Sequence, residues 1–441
     1  MAISTAVDAS AVARVVGIKT IFKNLRGGIL FLPQRIAVVG QGNSVAVYDN
    51  TKRQVTSAQE AGELYGFGSP IHLAVRQLLP VNGDGVGTIP VTIFPLDDDG
   101  AGVVSTGDVT PGGVPTVAAS YLVRVNNIDS EEFVISVGDT VAVIVTAMTA
   151  AINAVLEMPI IAVDGTTKVN FTSKWKGTSA NDIVVEVVGS TTAGNTFAIT
   201  QAVGGLINPD VDDSLDQIGD VWETLVLNCM DVADTATLDK FSVFGEGRWG
   251  ALTRKPLVTF TGNTALTVTL ATTVSDARKT DRVNAQLVAP GSNDLPLVVA
   301  ARQLARIAVL ANNNPPHDYG SQDATGLVPG DDGAQWTYAD RDSAVKKGSS
   351  TIEVKDGVAN ISDVVTFYHP TGGEIPAYRF VVDIIKLQQI IFNLDLIFAT
   401  KEWDGAPLIP DDQPTVNRDA KKPKMAVAAV ATMLDSLGLN A

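Results

Sequence analysis

Residues Trp336 to Trp403 read WTYADRDSAVKKGSSTIEVKDGVANISDVVTFYHPTGGEIPAYRFVVDIIKLQQIIFNLDLIFATKEW. Tyr338 to Lys347 begins polar and ends basic, as a short helix does, and Gly348 closes it. Ser350 to Lys355 alternates β-branched and charged residues, the pattern of a strand with one solvated face. Asp356-Gly357 follows, a dipeptide that tolerates the positive φ of a two-residue hairpin turn. Val358 to Tyr368 alternates again and completes the hairpin. Beyond Pro370 and Gly372-Gly373, the spacing of Ile384, Leu387, Ile391, Leu394 and Phe398 predicts a long helix with an apolar stripe. The unit is helix, hairpin, helix, and it contains no catalytic constellation.

Upstream the pattern changes. Ile36 to Val39 is a short buried strand ending at Gly40. Ser57 to Leu79 reads as two short helices, and Pro90 to Phe94 as another strand, so an α/β layer is expected. From Leu96 to about Gly113 the composition turns to Asp, Gly, Thr and Pro, which marks a boundary. Val114 to Ile207 is then mainly strands, interrupted by a helix at Val141 to Leu156. Trp222 to Met230, Leu257 to Thr261 and Val283 to Val288 resume buried strands, with a helix at Thr235 to Gly247. Leu295 to Asn312 is an Ala- and Leu-rich helix stopped by Pro315-Pro316. Asn417 to Leu437 is a final amphipathic helix carrying Lys421, Lys422 and Lys424.

Composition narrows function. The 441 residues carry 32 Lys+Arg against 48 Asp+Glu, a net charge of -16. Such a chain lacks the clustered cations that phosphate neutralisation requires, so nucleic acid is not an expected partner. Charged residues are 18 % of the chain, below the roughly 25 % usual for soluble domains, and mean hydropathy is +0.19. No run of apolar residues is long enough to span a bilayer, so membrane insertion is not expected and oligomer interfaces account for the apolar excess. The N-terminus lacks a basic n-region and is not read as a signal peptide. The single Cys229 excludes an intrachain disulfide and a multi-Cys metal site, and is read as a core residue.

Candidate chemistry is thin. Gly40-Gln41-Gly42 after a strand lacks the third glycine of a dinucleotide fingerprint. His72, His317 and His369 are not at metal-ligand spacing. No GxSxG elbow is present. The run Asp97-Asp98-Asp99 lacks EF-hand spacing. No catalytic, cofactor-binding or metal residue is therefore assigned. The lysines 421, 422 and 424 are read either as a solvated helix face or as a docking helix for an acidic partner.

Several segments, in order, resemble the tail sheath proteins of contractile bacteriophages, on the Mu-like branch. Val169 to Gly177 (VNFTSKWKG) with Asn181-Asp182-Ile183 resembles that branch's "vtLtakwkG…GNdI" segment. Gly204-Gly205 to Asp210 resembles its "GG…nPd" exit, and Arg248-Trp249-Gly250 its "RwG". Asn313 to Gln322 falls where the branch has "dPArPl", and Tyr338 to Tyr368 is similar to its "ERdaLlkdGiST…v..dG.v.I.R.vTtY" stretch. The similarity covers roughly residues 25 to 410 and departs at Ala339-Asp340-Arg341 and at Ile361-Ser362-Asp363.

The resemblance implies a multidomain α/β plus α+β fold. Residues 1–26 would be an extended arm, 27–98 and 206–330 a subtilisin-like α/β layer without its triad, 99–205 a β-rich outward insertion, and 331–441 an α+β domain facing a tail tube. It implies a virion tail protein assembled in the host cytoplasm, polymerising as stacked hexameric rings and contracting without any cofactor. Its implied partners are further copies of itself, the tube, the baseplate and the tail terminator. Lys421, Lys422 and Lys424 are the tube-contact candidates. Val12, Val15, Val16 and Ile18 of the arm, with Ile352, Val354, Val358 and Ile361 of the hairpin, are the candidates for strand exchange between subunits. The alternatives are a hydrolase on a subtilisin-like fold, the sheath of a related injection particle (tailocin), and a carbohydrate- or receptor-binding role for the insertion.

Overall fold

A computed structural model describes residues 30–190, 193–372 and 378–439. The chain divides into two compact units, Phe31–Ile391 and a smaller one made of Met1–Leu30 with Phe392–Ala441.

The larger unit begins with β1 (Ile36–Gln41), fully buried, then the short β2 (Arg53–Val55). Helices α1 (Ala58–Tyr65) and α2 (Pro70–Leu78) follow, each started by a serine, Ser57 or Ser69, whose hydroxyl accepts a backbone N–H of the first turn. β3 (Val91–Leu96) returns parallel to β1, with Ile36 opposite Val91.

The next hundred residues form two four-stranded antiparallel sheets and a helix. In chain order they are β4 (Val104–Gly113), β5 (Ala119–Val125), β6 (Ile128–Asp129), β7 (Phe133–Ile135), α3 (Val141–Ala154), β8 (Ile160–Asp164), β9 (Val169–Lys176), β10 (Val185–Gly189) and β11 (Asn195–Val203). One sheet is ordered β11-β4-β9-β8; the other is β10-β5-β6, with β7 also on β5. β9 alternates buried and half-buried residues along its whole length, the mark of one face on a core and one outside. β4 lies in the Gly- and Pro-containing stretch where a boundary loop was expected. Pro111 is tolerated there because β9 pairs with β4 only up to Val109, so Pro111 has a strand, β11, on one side alone.

α4 (Asp212–Ile218) leads to β12 (Leu225–Asn228), α5 (Thr235–Arg248), β13 (Val258–Asn263), α6 (Val268–Ala271), α7 (Thr273–Ala277) and β14 (Asn284–Val288). These strands complete a six-stranded sheet, β14-β13-β12-β1-β3-β2, parallel except for β2. Its parallel strands are buried throughout; Ile36 to Val39 of β1 reads as an unbroken apolar run, whereas β13 and β14 also bury Thr259, Thr261, Asn263, Asn284 and Gln286. The order reverses between β1 and β12. Right-handed crossovers therefore carry their helices to opposite faces, α2 on one and α5 on the other. α8 (Pro296–Asn313) packs with α2 and across β12, β13 and β14. Its first turn lies so close that a Cβ on Gly262 would fall 1.6 Å from the Pro296 carbonyl oxygen.

β15 (Gln322–Asp323), α9 (Tyr338–Lys346), β16 (Thr351–Lys355) and β17 (Val358–Asp363) follow, the strands forming a third sheet ordered β15-β17-β16. β17 ends at Asp363, short of the expected Tyr368. Past it, Phe367 N–H donates to Asn284 O at 2.9 Å, so this part of the run covers the edge of β14 instead of continuing the hairpin. α10 (Val381–Phe398) crosses the division between the units.

The expected stripe on α10 is corrected. Ile384, Ile385, Gln388 and Gln389 are buried, whereas Leu387 and Ile391 are half-buried. The buried glutamines bond backbone groups: Gln388 Nε2 donates to Thr224 O and Pro256 O, which also accept from Val258 N–H and the Trp222 indole, and Gln389 Oε1 accepts Leu32 N–H at 2.7 Å.

In the smaller unit, residues 30 and 392–439 are described. α11 (Pro423–Leu439) begins six residues later than the sequence indicates, with proline at its first position, where the missing N–H costs nothing. Met425, Val427 and Leu434 on it are exposed.

Candidate functional site

The hairpin β16–β17 turns at Asp356 (φ 52°) and Gly357 (φ 79°), both left-handed, as a type I′ turn requires. Lys355 pairs with Val358, Glu353 with Asn360 and Ile352 with Ile361. In a two-residue hairpin the pair next to the turn exchanges hydrogen bonds and the next does not. Lys355 and Glu353 therefore bond inward to β17, while the backbone groups of Val354 and Ile352 point outward. The other side of β17 obeys the same alternation: Ala359 O accepts from Ala324 N, and Ile361 O from Ser321 N at 2.7 Å.

β17 is thus flanked on both sides, and Ile361, opposite both Ile352 and Gln322, offers no edge to another strand. Its side chain is fully buried. That removes Ile361 as a strand-exchange residue and leaves Val358 only an exposed side chain beside the turn. Ile352 and Val354 remain, on the outer edge of β16. That edge borders a cleft of about 140 Å³ walled by Pro329, Gly330, Gln335 and Trp336, continuous in its lining with a wider depression of about 650 Å³ that reaches Asp356 and Gly357. Arg341 braces the strand, its Nη2 on Glu353 Oε1 at 3.1 Å and its Nη1 on Trp336 O. Val12, Val15, Val16 and Ile18 lie outside the described residues.

The three lysines are not one helix face. Lys421 precedes α11 and is buried; its ammonium pairs with Glu402 at 2.7 Å and sits 5.5 Å from the Trp403 ring centroid. Lys422 donates to the carbonyls of Asp411 and Gln413. Only Lys424 stands exposed in the first turn of the helix. Sequence pattern could not separate them, because the acceptors come from a Pro-rich segment with no periodicity.

The residues behind the middle motifs gather at the neck where the chain enters and leaves the two antiparallel sheets. Val103 and Leu206 exchange backbone hydrogen bonds, and Gly177 N–H also reaches Val103 O. Asn181 bonds both ways with Gly205, and Asn208 spans Thr178 and Asp234. Gly177 has φ 110° and no room for a Cβ, which would meet Asn208 Oδ1 at 2.4 Å. Trp175 is fully buried with its indole N–H on Ser179 Oγ. Lys174 reaches from β9 to the carbonyls of Phe67 and Leu156, and burial pulls its pKa down to about 8.

This neck occupies the carboxyl ends of β1 and β12, where the strand order reverses and open α/β sheets usually hold ligands. Gln41 Nε2 bonds Asp98 Oδ1 and Lys176 O there. The Gly42 N–H is taken by the Tyr48 hydroxyl at 3.0 Å, so it is not turned to a phosphate. Asp98 also accepts from Ser44, and Asp97 from Asn50, so two members of the acidic run tie loops together. A hollow of about 500 Å³ remains beside the neck, lined by Asp99, Asp210, Asp231 and Asp234, with Lys240 bridging Asp210 and Asp212. Among the described residues no group of three or more His, Cys, Asp or Glu is arranged to hold a metal ion.

His72 is buried in α2 with its Nδ1 accepting Gly68 N–H, and burial holds its pKa down at about 4. His369 contacts Phe367 O and Asp276, and His317 is exposed, so the three imidazoles are not brought together. Cys229 is buried and its thiol is pushed up to about 12, which keeps it unreactive. In the RWG motif, Arg248 donates to the carbonyls of Gly219 and Val221, while Trp249 meets Tyr378 edge-on and lies under Arg282. Among the described residues no helix is long and apolar enough to cross a membrane.

A mixed α/β chain built of several sheets, with the motifs above serving its neck and hairpin, is similar to phage tail sheath proteins, and comparison with known proteins supports that class. The Mu-like prophage FluMu tail sheath protein of Haemophilus influenzae is 22 % identical over 350 residues, covering 77 % of this chain and 69 % of that one. The resemblance read from the motifs is thereby shown. No family model matches. Among solved structures, a sheath tail protein of Listeria innocua overlaps 92 % of this chain and 85 % of its own at 13 % identity and a TM-score of 0.47. One of Desulfitobacterium hafniense overlaps 86 % and 83 % at 12 % identity and 0.43.

Proposed function

We propose that the chain is the structural subunit of a contractile phage tail sheath, polymerising around a tail tube as stacked hexameric rings and contracting to drive the tube through the host envelope. The observation that carries this reading is the outer edge of β16, whose outward backbone groups at Ile352 and Val354 face a cleft instead of a neighbouring strand. Unpaired edges are ordinarily covered, twisted or charged. Here the edge is bordered by Pro329 and Gly330 across a gap, an arrangement that accepts a strand supplied by another copy. The arm 1–26 is the proposed donor. The half-buried apolar residues of α10 and the exposed ones of α11 supply further area for contacts between copies or with the tube, and Lys424 is the remaining candidate for charge recognition of the tube.

In this account the six-stranded layer is the subtilisin-like sheath domain, the insertion faces outward, and contraction is the passage of a metastable lattice to one with more buried interface. Connected strands would hold neighbours together while the subunits rotate. The experiment is electron microscopy of the purified chain, alone and with tube and baseplate, alongside a variant lacking residues 2–24. The full chain should form tubes or rings and the deletion should not. A strictly monomeric full chain under all these conditions would end the proposal.

A further inference from the structure

Arg302 and Arg306 lie one turn apart on α8 and both line a cleft of about 230 Å³ that also contains Asp84, Asp323 and Thr325. Arg248 and Arg379 give their bonds to backbone carbonyls, whereas other guanidinium groups are matched to carboxylates, as in Arg124–Asp129, Arg282–Glu246 and Arg341–Glu353. Arg302 and Arg306 are not so matched: among the described residues neither is within ion-pair distance of a carboxylate. The Nε of each is shielded from solvent without an acceptor. Arg306 gives one Nη2 bond to the neutral Gln322 amide oxygen, and Thr325 Oγ1 donates to Asp84 Oδ2. The Arg302 guanidinium is pressed against Gly326, where a Cβ would fall 2.8 Å from Cζ. Burial pulls the Arg302 pKa below its ordinary value, with Arg76 adding to the fall and Asp294 opposing it.

Two half-buried cations on one helix face, neither ion-paired with the Asp84 or Asp323 that line the same cleft, favour an anion that brings two acceptor oxygens, since a guanidinium fork matches a carboxylate in-plane. The cleft is of side-chain size, well below the range of pockets that enclose a nucleotide or a drug-sized ligand. The chain itself carries 48 acidic residues against 32 basic ones, so a second copy presents such groups in excess. We propose that the cleft between α8 and the segment around Asp323 is a carboxylate-binding site, filled in the assembled protein by an aspartate or glutamate side chain of a second copy. This rests on the polymeric sheath reading above and adds to it a charged contact separate from the strand edge.

The test compares the full chain with the double variant Arg302→Gln, Arg306→Gln and with Arg302→Lys, which keeps charge and stem and carries the test should the double variant melt early. Two readouts are taken: the critical concentration for polymer formation by pelleting, and the melting temperature of unassembled protein in citrate against sodium chloride at equal ionic strength. The proposal expects a critical concentration raised about tenfold or more in the double variant, less in Arg302→Lys. Citrate should raise the critical concentration and the melting temperature of the unsubstituted chain but not of the double variant. Equal assembly of all three chains with a citrate effect on melting would mean a site for free carboxylates and overturn the assignment to a second copy. Equal assembly and no citrate effect would overturn the site altogether. Failure of the unsubstituted chain to polymerise would instead overturn the sheath reading and with it the second-copy assignment, leaving the melting readout to decide the carboxylate site.

Discussion

Val354→Pro separates the edge of β16 from the hairpin that presents it. The alternation set by the Asp356-Gly357 turn puts the Val354 N–H on the outer side, and no described backbone group of the same chain receives it. Proline there removes that donor and places a ring against any incoming strand, while the inward bonds at Lys355 and Glu353 stay intact. The monomer should lose little, about 1 kcal/mol or less, since Val354 is only half-buried. At each junction the incoming strand would keep a buried carbonyl without a donor, which costs about 2 kcal/mol, or about thirtyfold in the association constant. Glu353→Pro is the control: it removes an inward ladder bond and strains the Arg341 brace, so it should lower the melting temperature of the monomer itself. The assay is the critical concentration for polymer formation by pelleting, paired with thermal melts of unassembled protein. A Val354→Pro chain that melts normally and polymerises at the unsubstituted concentration would refute strand addition at this edge.

Other perturbations test the frame around it. Gly262→Ala places a Cβ 1.6 Å from the Pro296 oxygen at the start of α8, and a melt should show a loss of about 3 kcal/mol or more. His72 has a folded pKa near 4 against an ordinary 6.5. Between those values the unfolded chain binds a proton that the folded chain refuses, so stability present above pH 6.5 should fall by about 3 kcal/mol as pH drops to 4. Denaturant titrations of the chain and of His72→Gln should differ in that slope. Lys174, with a folded pKa near 8 against 10.5, works at the other end: stability should rise with pH from about 8 to 10.5, and Lys174→Met should abolish that rise. Asn181→Ala removes both bonds to Gly205 and should cost about 2 kcal/mol, with faster proteolysis at the neck of the two antiparallel sheets.

Much of the fold was legible because local chemistry and burial agree there. Ile36 to Val39 reads as a buried apolar strand, Ser57 to Leu79 reads as the two short helices found there, and Asp356-Gly357 fixes the hairpin. Four features were hidden for stated reasons. β4 carries glycines and Pro111, which sequence pattern assigns to loop, and only its neighbours β9 and β11 make it a strand. α10 inverts the usual rule, burying Gln388 and Gln389, which bond backbone groups far away in sequence, and leaving apolar residues half covered. Lys421 looks solvated until Glu402 and Trp403, about twenty residues upstream, close over it. The arginine cleft joins α8 to Asp84 and Asp323, a juxtaposition that no spacing in the chain encodes. For the candidate site, the turn named the hairpin, but only the pairing with β15 showed that Ile352 and Val354, and not Ile361, lie on an open edge.

The central claim is that copies of this chain join by adding a strand to the outer edge of β16 in a tubular polymer. A helical reconstruction by electron cryomicroscopy of the polymer formed by the full chain tests it directly. The account predicts continuous density for a strand about 4.8 Å from β16, hydrogen-bonded at Ile352 and Val354 and traced to residues 1–26 of another copy. A polymer in which that edge is solvent-filled, or is covered by its own chain, would contradict it.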